Sequence, residues 1–345
     1  MSSADAVAAV LWVGVTLYAV FGGADFGSGL WALVAGRGEH GRRVRDLIDW
    51  AIGPVWEANH VWLIFMLVTL WTAFPEAFGS VMSTLFIPLS LAALGIVLRG
   101  AGFAFHRIAA RTSARRLSEA CFAVASVLTP FFMGTVVGAV ASGRVPIGNA
   151  QGDPVTSWLN PVSLLLGALF VAAGAYLAAV FLVSDARRFG DRELVAYFAT
   201  RALAAAVVAG ALAVAGVFVL RDDARYLYDG LTSEGLPLVL ISLGCGLGAL
   251  VLLWRRARRG VRPLAVGAMV ALIWGWGAAQ YPYLLPRSLT IEDGAGASAT
   301  LTTVLVLFGV AVIVVLPALA LLFTLDQRSI LEEEVEAARR STTAR

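Results

Sequence analysis

The sequence predicts an all-α polytopic membrane protein with nine transmembrane helices, and three observations predict it. The chain of 345 residues is 59% hydrophobic and only 14% charged, whereas soluble domains carry roughly 25% charged residues. Its mean hydropathy is +0.81. Apolar runs of about 20 residues, the length that crosses a bilayer as a helix, recur from one end of the chain to the other.

Short polar segments separate the nine predicted spans. The first apolar run has no positively charged segment before it, so we interpret it as a true span and not as a cleaved signal peptide. Residues 142–159 and 286–300 are rich in Gly, Pro and polar side chains, and we interpret them as external loops. The spans cover residues 6–35, 53–73, 77–99, 119–141, 160–183, 201–220, 236–254, 263–284 and 301–325.

The arginines predict the orientation of the chain. All 26 basic residues are arginine, and 22 of them follow the odd-numbered spans. Because positively charged loops stay in the cytoplasm, we expect an external N-terminus and a cytoplasmic C-terminal tail, 326–345. We interpret the arginines as lying in loops and at helix ends, where they meet anionic lipid headgroups. No nucleic-acid role is expected.

The number of spans suggests two four-helix bundles and one peripheral helix. Residues 1–141 would form the first bundle and residues 160–285 the second, with the ninth helix at 301–325 outside both. The sequence shows no convincing internal repeat, so this grouping rests on the count alone. Small residues are frequent inside the spans and allow helices to approach closely in lipid.

Asp25, Glu57 and His60 are the ionisable residues that we expect well inside the spans. From the predicted span ends, Asp25 lies about 15 Å, Glu57 about 6 Å and His60 about 10 Å from the cytoplasmic side. Glu57 and His60 are three residues apart and therefore share a helix face. Since imidazole exchanges protons near neutral pH, the three predict a proton route.

Two other interpretations of these residues stay open. In the first, the polar cluster only pins the helices together, with Asn59 adding hydrogen bonds and Trp56 and Trp62 shielding it. In the second, His60 ligates haem. This second interpretation is disfavoured because the chain has only three histidines, and we expect the other two near the cytoplasmic surface, His40 in a loop and His106 at the end of the third span.

Gln280 is one of few polar residues predicted near the external face. It closes the eighth span in the segment QYPYLLP, where Pro282 and Pro286 end the helix. An anchored turn is the favoured interpretation, and a ligand contact is the lesser one.

Five motifs occur in one order along the chain: GGADFGSGLW, IGPVWEANHVWLI, TAFPEAF, LNPVSLLLGAL and QYPYLLPRSLTI. They resemble subunit II of the cytochrome bd-type quinol oxidases, from residue 21 to about residue 325. The second motif is by far the most specific.

This resemblance implies a heterodimer in the bacterial inner membrane. Its homologous subunit I would carry two b-type haems and a d-type or third b-type haem, and would oxidise quinol on the external side. Oxygen would be reduced to water with protons from the cytoplasm. The chain itself would carry no haem and would stabilise subunit I. A structural quinone or lipid, and a small single-span accessory subunit, stay open.

The resemblance also concerns single residues. In some members acidic residues of subunit II line a proton route, and these positions match Asp25 and Glu57. The family often has a second acid three residues before Asp25, where this chain has Gly22. It often has Asp in place of Glu57, and Glu or Gln in place of His60. These departures leave the detailed route open.

Two functions of other classes compete with the oxidase. A proton-coupled secondary transporter would bind its coupling ion at the intramembrane carboxylates. Such transporters often have broken helices at corresponding places of two repeats, which the sequence does not show. In a structural scaffold, the polar cluster would serve packing only.

Overall fold

The structure is a computed structural model that describes residues 2–36, 38–108, 112–257 and 259–327. Within these ranges some side chains are not described: those of 52–58, 103–117, 119, 316, 319, 320, 322, 323 and 325–327.

The described part of the chain forms eleven α-helices and one small antiparallel sheet. The elements are α1 Ser3–Val34, α2 Glu39–Ala73, α3 Pro75–Thr84, α4 Phe86–Ile108, α5 Thr112–Ala141, α6 Pro161–Arg188, α7 Arg192–Asp223, α8 Arg225–Thr232, α9 Leu236–Trp254, α10 Val261–Gln280, β1 Tyr283–Leu285, β2 Leu289–Thr290 and α11 Ser298–Gln327.

The helices confirm the all-α membrane fold class. Among the described residues, seven helices are long and apolar enough to cross a membrane, namely α1, α6, α7, α9, α10 and parts of α5 and α11. The second half of α2 and α3 pass the same test together, although they are bent by 118°. A shorter apolar helix covers Phe86–Gly102. Helix therefore covers most of each predicted span, although the eighth, 263–284, extends beyond the end of α10 at Gln280 into β1.

The third predicted span, 77–99, is wrong as one helix, because it comprises most of α3 and the first part of α4. The two helices separate at Leu85, which has φ −104° and ψ 26°. Pro88 explains the break, since a proline ring clashes with the carbonyl group four residues earlier and offers no N–H to it. That carbonyl belongs to Thr84, the last residue of α3.

The structure contains a repeat that the sequence did not reveal. Helices α1–α5 and α6–α10 have the same order: two long helices, one short helix and two more long helices. The long helix before each short one ends alike, at Phe74 with φ −135° and ψ 62° and at Ala224 with φ −139° and ψ 55°. Because helix packing requires apolar volume more than particular residues, such a repeat survives without sequence similarity.

The two halves meet along α1 and α6. Helix α6 packs on α1, α5 and α7, and α1 also packs on α2. A Cβ atom built at Gly27 would lie 2.0 Å from the carbonyl oxygen of Gly174, so only glycine fits there. Nearby, Trp31 Nε1 donates to the carbonyl oxygen of Ala175 at 2.8 Å. Close backbone contact of this kind is how membrane helices gain packing energy in lipid.

Candidate functional site

A buried ion pair joins α1 to α4. Arg99 Nη2 donates to Asp25 Oδ1 at 2.5 Å and to the backbone oxygen of Asp25 at 2.8 Å. The two side chains are 1% and 0% exposed. A charge removed from water is tolerated when it is paired and hydrogen-bonded, so each of these two groups stabilises the other in the interior.

Helix α5 completes the surroundings of Arg99. Its Nη1 donates to Ser126 Oγ. The guanidinium carbon lies 4.2 Å from the ring centre of Phe122 and 4.9 Å from that of Phe26. A cation over an aromatic face is attracted to the ring. The ion pair therefore holds α1, α4 and α5 together at one point.

The position of Arg99 corrects the expectation that the arginines lie only in loops and at helix ends. Arg99 is fully buried and lies inside α4, which ends at Ile108. One signal could have revealed it, because the apolar sequence continues beyond Arg99 as GAGFAF. The predicted orientation does not depend on this residue, since the remaining arginines keep the same bias.

Helix α2 packs against α1 near the ion pair through Asn59. This side chain is 1% exposed, and a Cβ atom built at Gly22 would lie 3.1 Å from both polar atoms of its amide. Gly22 is about one helical turn before Asp25 on α1. Asn59 therefore fills the space beside Gly22, one helical turn from Asp25.

Of the other predicted site residues on α2, the structure describes some by their side chains and some by their backbone only. The backbone of Glu57 and Trp56 lies in α2, but their side chains lie outside the described residues. His60 is half-buried. The ring of Trp62 lies 6.3 Å from that of Phe65 on the same helix. The structure thus brings Asn59 to the helical turn of Asp25, and a part for Glu57 and His60 stays a prediction.

Gln280 lies at the opposite end of the molecule and anchors a turn. Its Oε1 accepts from Trp276 Nε1 at 2.8 Å, and its Nε2 donates to the carbonyl oxygen of Leu284 at 2.9 Å. The side chain is 5% exposed. These contacts tie the end of α10 to β1, as expected for an anchored turn.

A second polar cluster joins the start of α2 to the start of α7. Arg43 donates to Asp191 and, at 2.7 Å, to Glu193. His40 Nδ1 lies 2.9 Å from Glu193 Oε1. The backbone N–H of Leu194, with help from Arg43, lowers the pKa of Asp191 below the usual range of aspartate. This cluster is largely exposed, in contrast to the ion pair of Arg99.

The chain is similar to known proteins over almost its whole length. The sequence profile of the family "Cytochrome bd terminal oxidase subunit II" matches residues 4–325. Cytochrome bd ubiquinol oxidase subunit 2 of Bacillus subtilis is 27% identical over 272 residues, which cover 77% of this chain and 76% of that protein. Cytochrome bd-I ubiquinol oxidase subunit 2 of Escherichia coli K12 is 29% identical over 218 residues, covering 61% and 56%.

A solved structure shows the same fold. One chain of the bd oxidase from Geobacillus thermodenitrificans superposes with a TM-score of 0.75 at 24% identity, over 94% of this chain and 98% of that one. Together with the profile match, this confirms the resemblance carried by the five sequence motifs. The chain belongs to the cytochrome bd terminal oxidase subunit II family.

Proposed function

We propose that this chain is the subunit of a terminal oxidase that supports quinol oxidation and reduction of oxygen to water without carrying the haems. The match of the family profile over residues 4–325 carries this proposal. As a member of the family, the chain is a multi-pass inner-membrane subunit of a quinol oxidase complex.

The proposed architecture has nine spans, with 1–141 and 160–285 as two four-helix bundles and 301–325 as a peripheral ninth helix. Its support is the repeated order of elements in α1–α5 and α6–α10. The N-terminus would be external and the tail, 326–345, cytoplasmic. The arginine-rich ends of α6, α7, α9 and α10 lie together at one end of the molecule, as this orientation requires.

The haem-bearing subunit I is the proposed partner, and the redox chemistry belongs to its haems. Histidine, methionine, cysteine and tyrosine are the usual axial ligands of haem iron. In the described part of this chain, His40 is engaged with Glu193 near the surface, and no group of three His, Cys, Asp or Glu side chains converges. We propose that subunit I holds the haems, and we derive no haem step from the residues of this chain.

The contribution that we propose for this chain is proton delivery from the cytoplasm through Glu57, His60 and Asp25. The ion pair with Arg99 changes the part played by Asp25. Because the carboxylate of Asp25 is already bonded to the buried guanidinium of Arg99, we propose that Asp25 serves to position the route more than to carry protons. Proton exchange then falls to Glu57 and His60, with Asn59 beside the turn that holds Asp25.

Oxygen consumption by the purified complex tests this proposal. Glu57→Gln removes the exchangeable carboxylic proton with little change of volume, so we expect at least a tenfold slower turnover with intact haem content. Reduced-minus-oxidised difference spectra of the same sample measure the haem content. The matched control, Glu76→Gln, makes the same substitution at an exposed residue of α3 and should leave turnover unchanged.

Two results would contradict these proposals at different levels. Native complex without any haem signal would refute the oxidase subunit itself. Normal turnover in both Glu57→Gln and His60→Gln complexes, with normal spectra, would refute only the proton route and leave the polar cluster with a packing role.

A transporter is not favoured by any observation of the structure. The repeat does contain two breaks at corresponding places, after Ala73 and after Asp223, which corrects the expectation of none. However, each break follows a helix of more than 30 residues, and about 20 residues already cross the hydrocarbon. The break after Asp223 therefore follows a complete span and does not interrupt it.

A further inference from the structure

The turn between α9 and α10 carries a dense basic surface. Arg255, Arg256 and Arg259 are all exposed, and we call these three residues the turn arginines. They follow one another within five positions of the sequence, between the end of α9 at Trp254 and the start of α10.

The turn is held in place against α6. Arg187 Nη1 donates to the carbonyl oxygen of Ala257 at 2.9 Å. Arg262 lies across the ring of Phe181, with its guanidinium carbon 4.0 Å from the ring centre. These two contacts connect both sides of the turn to α6, and we call the turn arginines together with these contacts the basic platform.

The charge of this platform is not balanced. Asp185 is a nearby acid, and it lies within electrostatic reach of Arg188 and Arg262. Within the described residues, no carboxylate forms an ion pair with the turn arginines. The surface therefore offers several positive charges to an anionic partner.

An apolar stripe on α9 leads directly to the turn arginines. It consists of Leu240, Leu243, Leu247, Val251 and Trp254, which are 43% to 75% exposed. Their spacing of three and four residues places them on one face of the helix. From Leu240 to Trp254 the stripe is about 21 Å long, which exceeds the roughly 15 Å of hydrocarbon in one leaflet.

We propose that this surface is a binding site for an anionic phospholipid, with the phosphate-bearing headgroup on the turn arginines and the acyl chains along the α9 stripe. The positively charged turn arginines are complementary to a negatively charged headgroup, and the exposed apolar stripe beside them is complementary to acyl chains. Trp254, 75% exposed, stands at the boundary between the two parts, where amphipathic aromatic rings are favoured.

Native mass spectrometry of the complex with subunit I, titrated with phosphatidylglycerol and with phosphatidylcholine of identical chains, tests the site. We expect a preference for phosphatidylglycerol of at least tenfold, since each basic residue near an anionic headgroup contributes roughly a fivefold gain. The triple substitution R255Q/R256Q/R259Q should reduce this preference to less than about threefold. Arg259→Gln alone should weaken it about fivefold, and it serves as the test if the triple variant does not assemble.

The matched control removes three exposed arginines from the opposite end of the molecule, R221Q/R225Q/R287Q. It should keep the wild-type preference. An unchanged preference in the turn variants, or an equal loss in the control, would overturn the proposal. So would displacement of bound phosphatidylglycerol by millimolar inorganic phosphate alone, which would indicate a site for free anions. Because lipid binding is measured without turnover, failure here is distinguishable from failure of the proton route.

Discussion

The two halves of the molecule share an order of helices but differ in what they bury. In the described part of α1–α5, twelve polar or charged residues are buried, among them Asp25, Asn59, Arg99 and Ser126. In α6–α10 only Ser163 and Gln280 are buried, and both lie near helix ends. The other buried side chains of the second half are apolar, and most of them are Ala, Leu or Val.

This difference predicts which buried residues serve the function of the complex and which serve helix packing only. Burying a polar group costs free energy unless it is hydrogen-bonded, and helices in lipid pack well with small apolar residues alone. The second half shows that the fold does not require a polar interior. We therefore expect a function beyond packing at the polar residues of the first half, and variants of the second half serve as controls.

The largest effect is expected from breaking the buried ion pair. Arg99→Met leaves the carboxylate of Asp25 buried without its partner, which should cost about 3–5 kcal/mol of folding free energy. Thermal denaturation and the yield of assembled complex measure the loss. Arg262→Met is the control in the second half, because this exposed arginine also lies on an aromatic ring; it should cost less than about 1 kcal/mol. Comparable losses in both variants would remove the distinction between the halves.

A rescue separates the charge from the volume at this site. Replacing a buried ion pair by apolar residues of similar size is often neutral or stabilising. The double variant Asp25→Leu with Arg99→Met should therefore recover most of the stability that Arg99→Met loses. If turnover stays low in a stable double variant, the charges of the first half serve the reaction; if turnover returns, they serve packing only.

The next largest loss of stability is expected from disturbing the contact between α1 and α6, where the two halves meet. Gly27→Ala would place a Cβ atom 2.0 Å from the carbonyl oxygen of Gly174, and the forced separation of α1 and α6 should cost about 1–3 kcal/mol. Gly210→Ala on α7 is the matched control, because nothing lies within 4 Å of its Cβ position. That change should be neutral or stabilising by up to about 1 kcal/mol. Melting temperatures of both complexes decide between these outcomes.

Much of the fold was predictable from the sequence, because a run of about 20 apolar residues has few alternatives to a membrane helix. The break at Leu85 and the short helix α8 were missed, since both depend on local backbone geometry within apolar or polar runs. Asp25 was recognised because a carboxylate in a span is costly. Its partner Arg99 was not, since only the hydrogen bonds of Arg99 to Asp25 show that this arginine points inward.

The smallest effect on stability is expected at the exposed cluster of Arg43, Asp191 and Glu193, which links the two halves. This effect should depend on pH. In the folded protein the pKa of Asp191 is lowered, first by the N–H of Leu194 and further by Arg43. A carboxylate with a lowered pKa stabilises the fold above the ordinary aspartate pKa of about 3.9, and this stabilisation is lost as pH falls below that value.

Asp191→Asn removes this titration. The melting temperature of the complex in detergent should therefore fall less steeply between pH 5 and pH 3 in the variant than in the wild type, by at most about 2 °C. Asp223→Asn removes the same charge from the other end of α7 and should keep the wild-type profile.

High salt should diminish the Asp191 effect, because exposed charges are screened, while the cost of Arg99→Met should persist. If salt weakened both effects equally, the ion pair of the first half would not be shielded from solvent, and the contrast between a polar interior and an exposed polar link would fail.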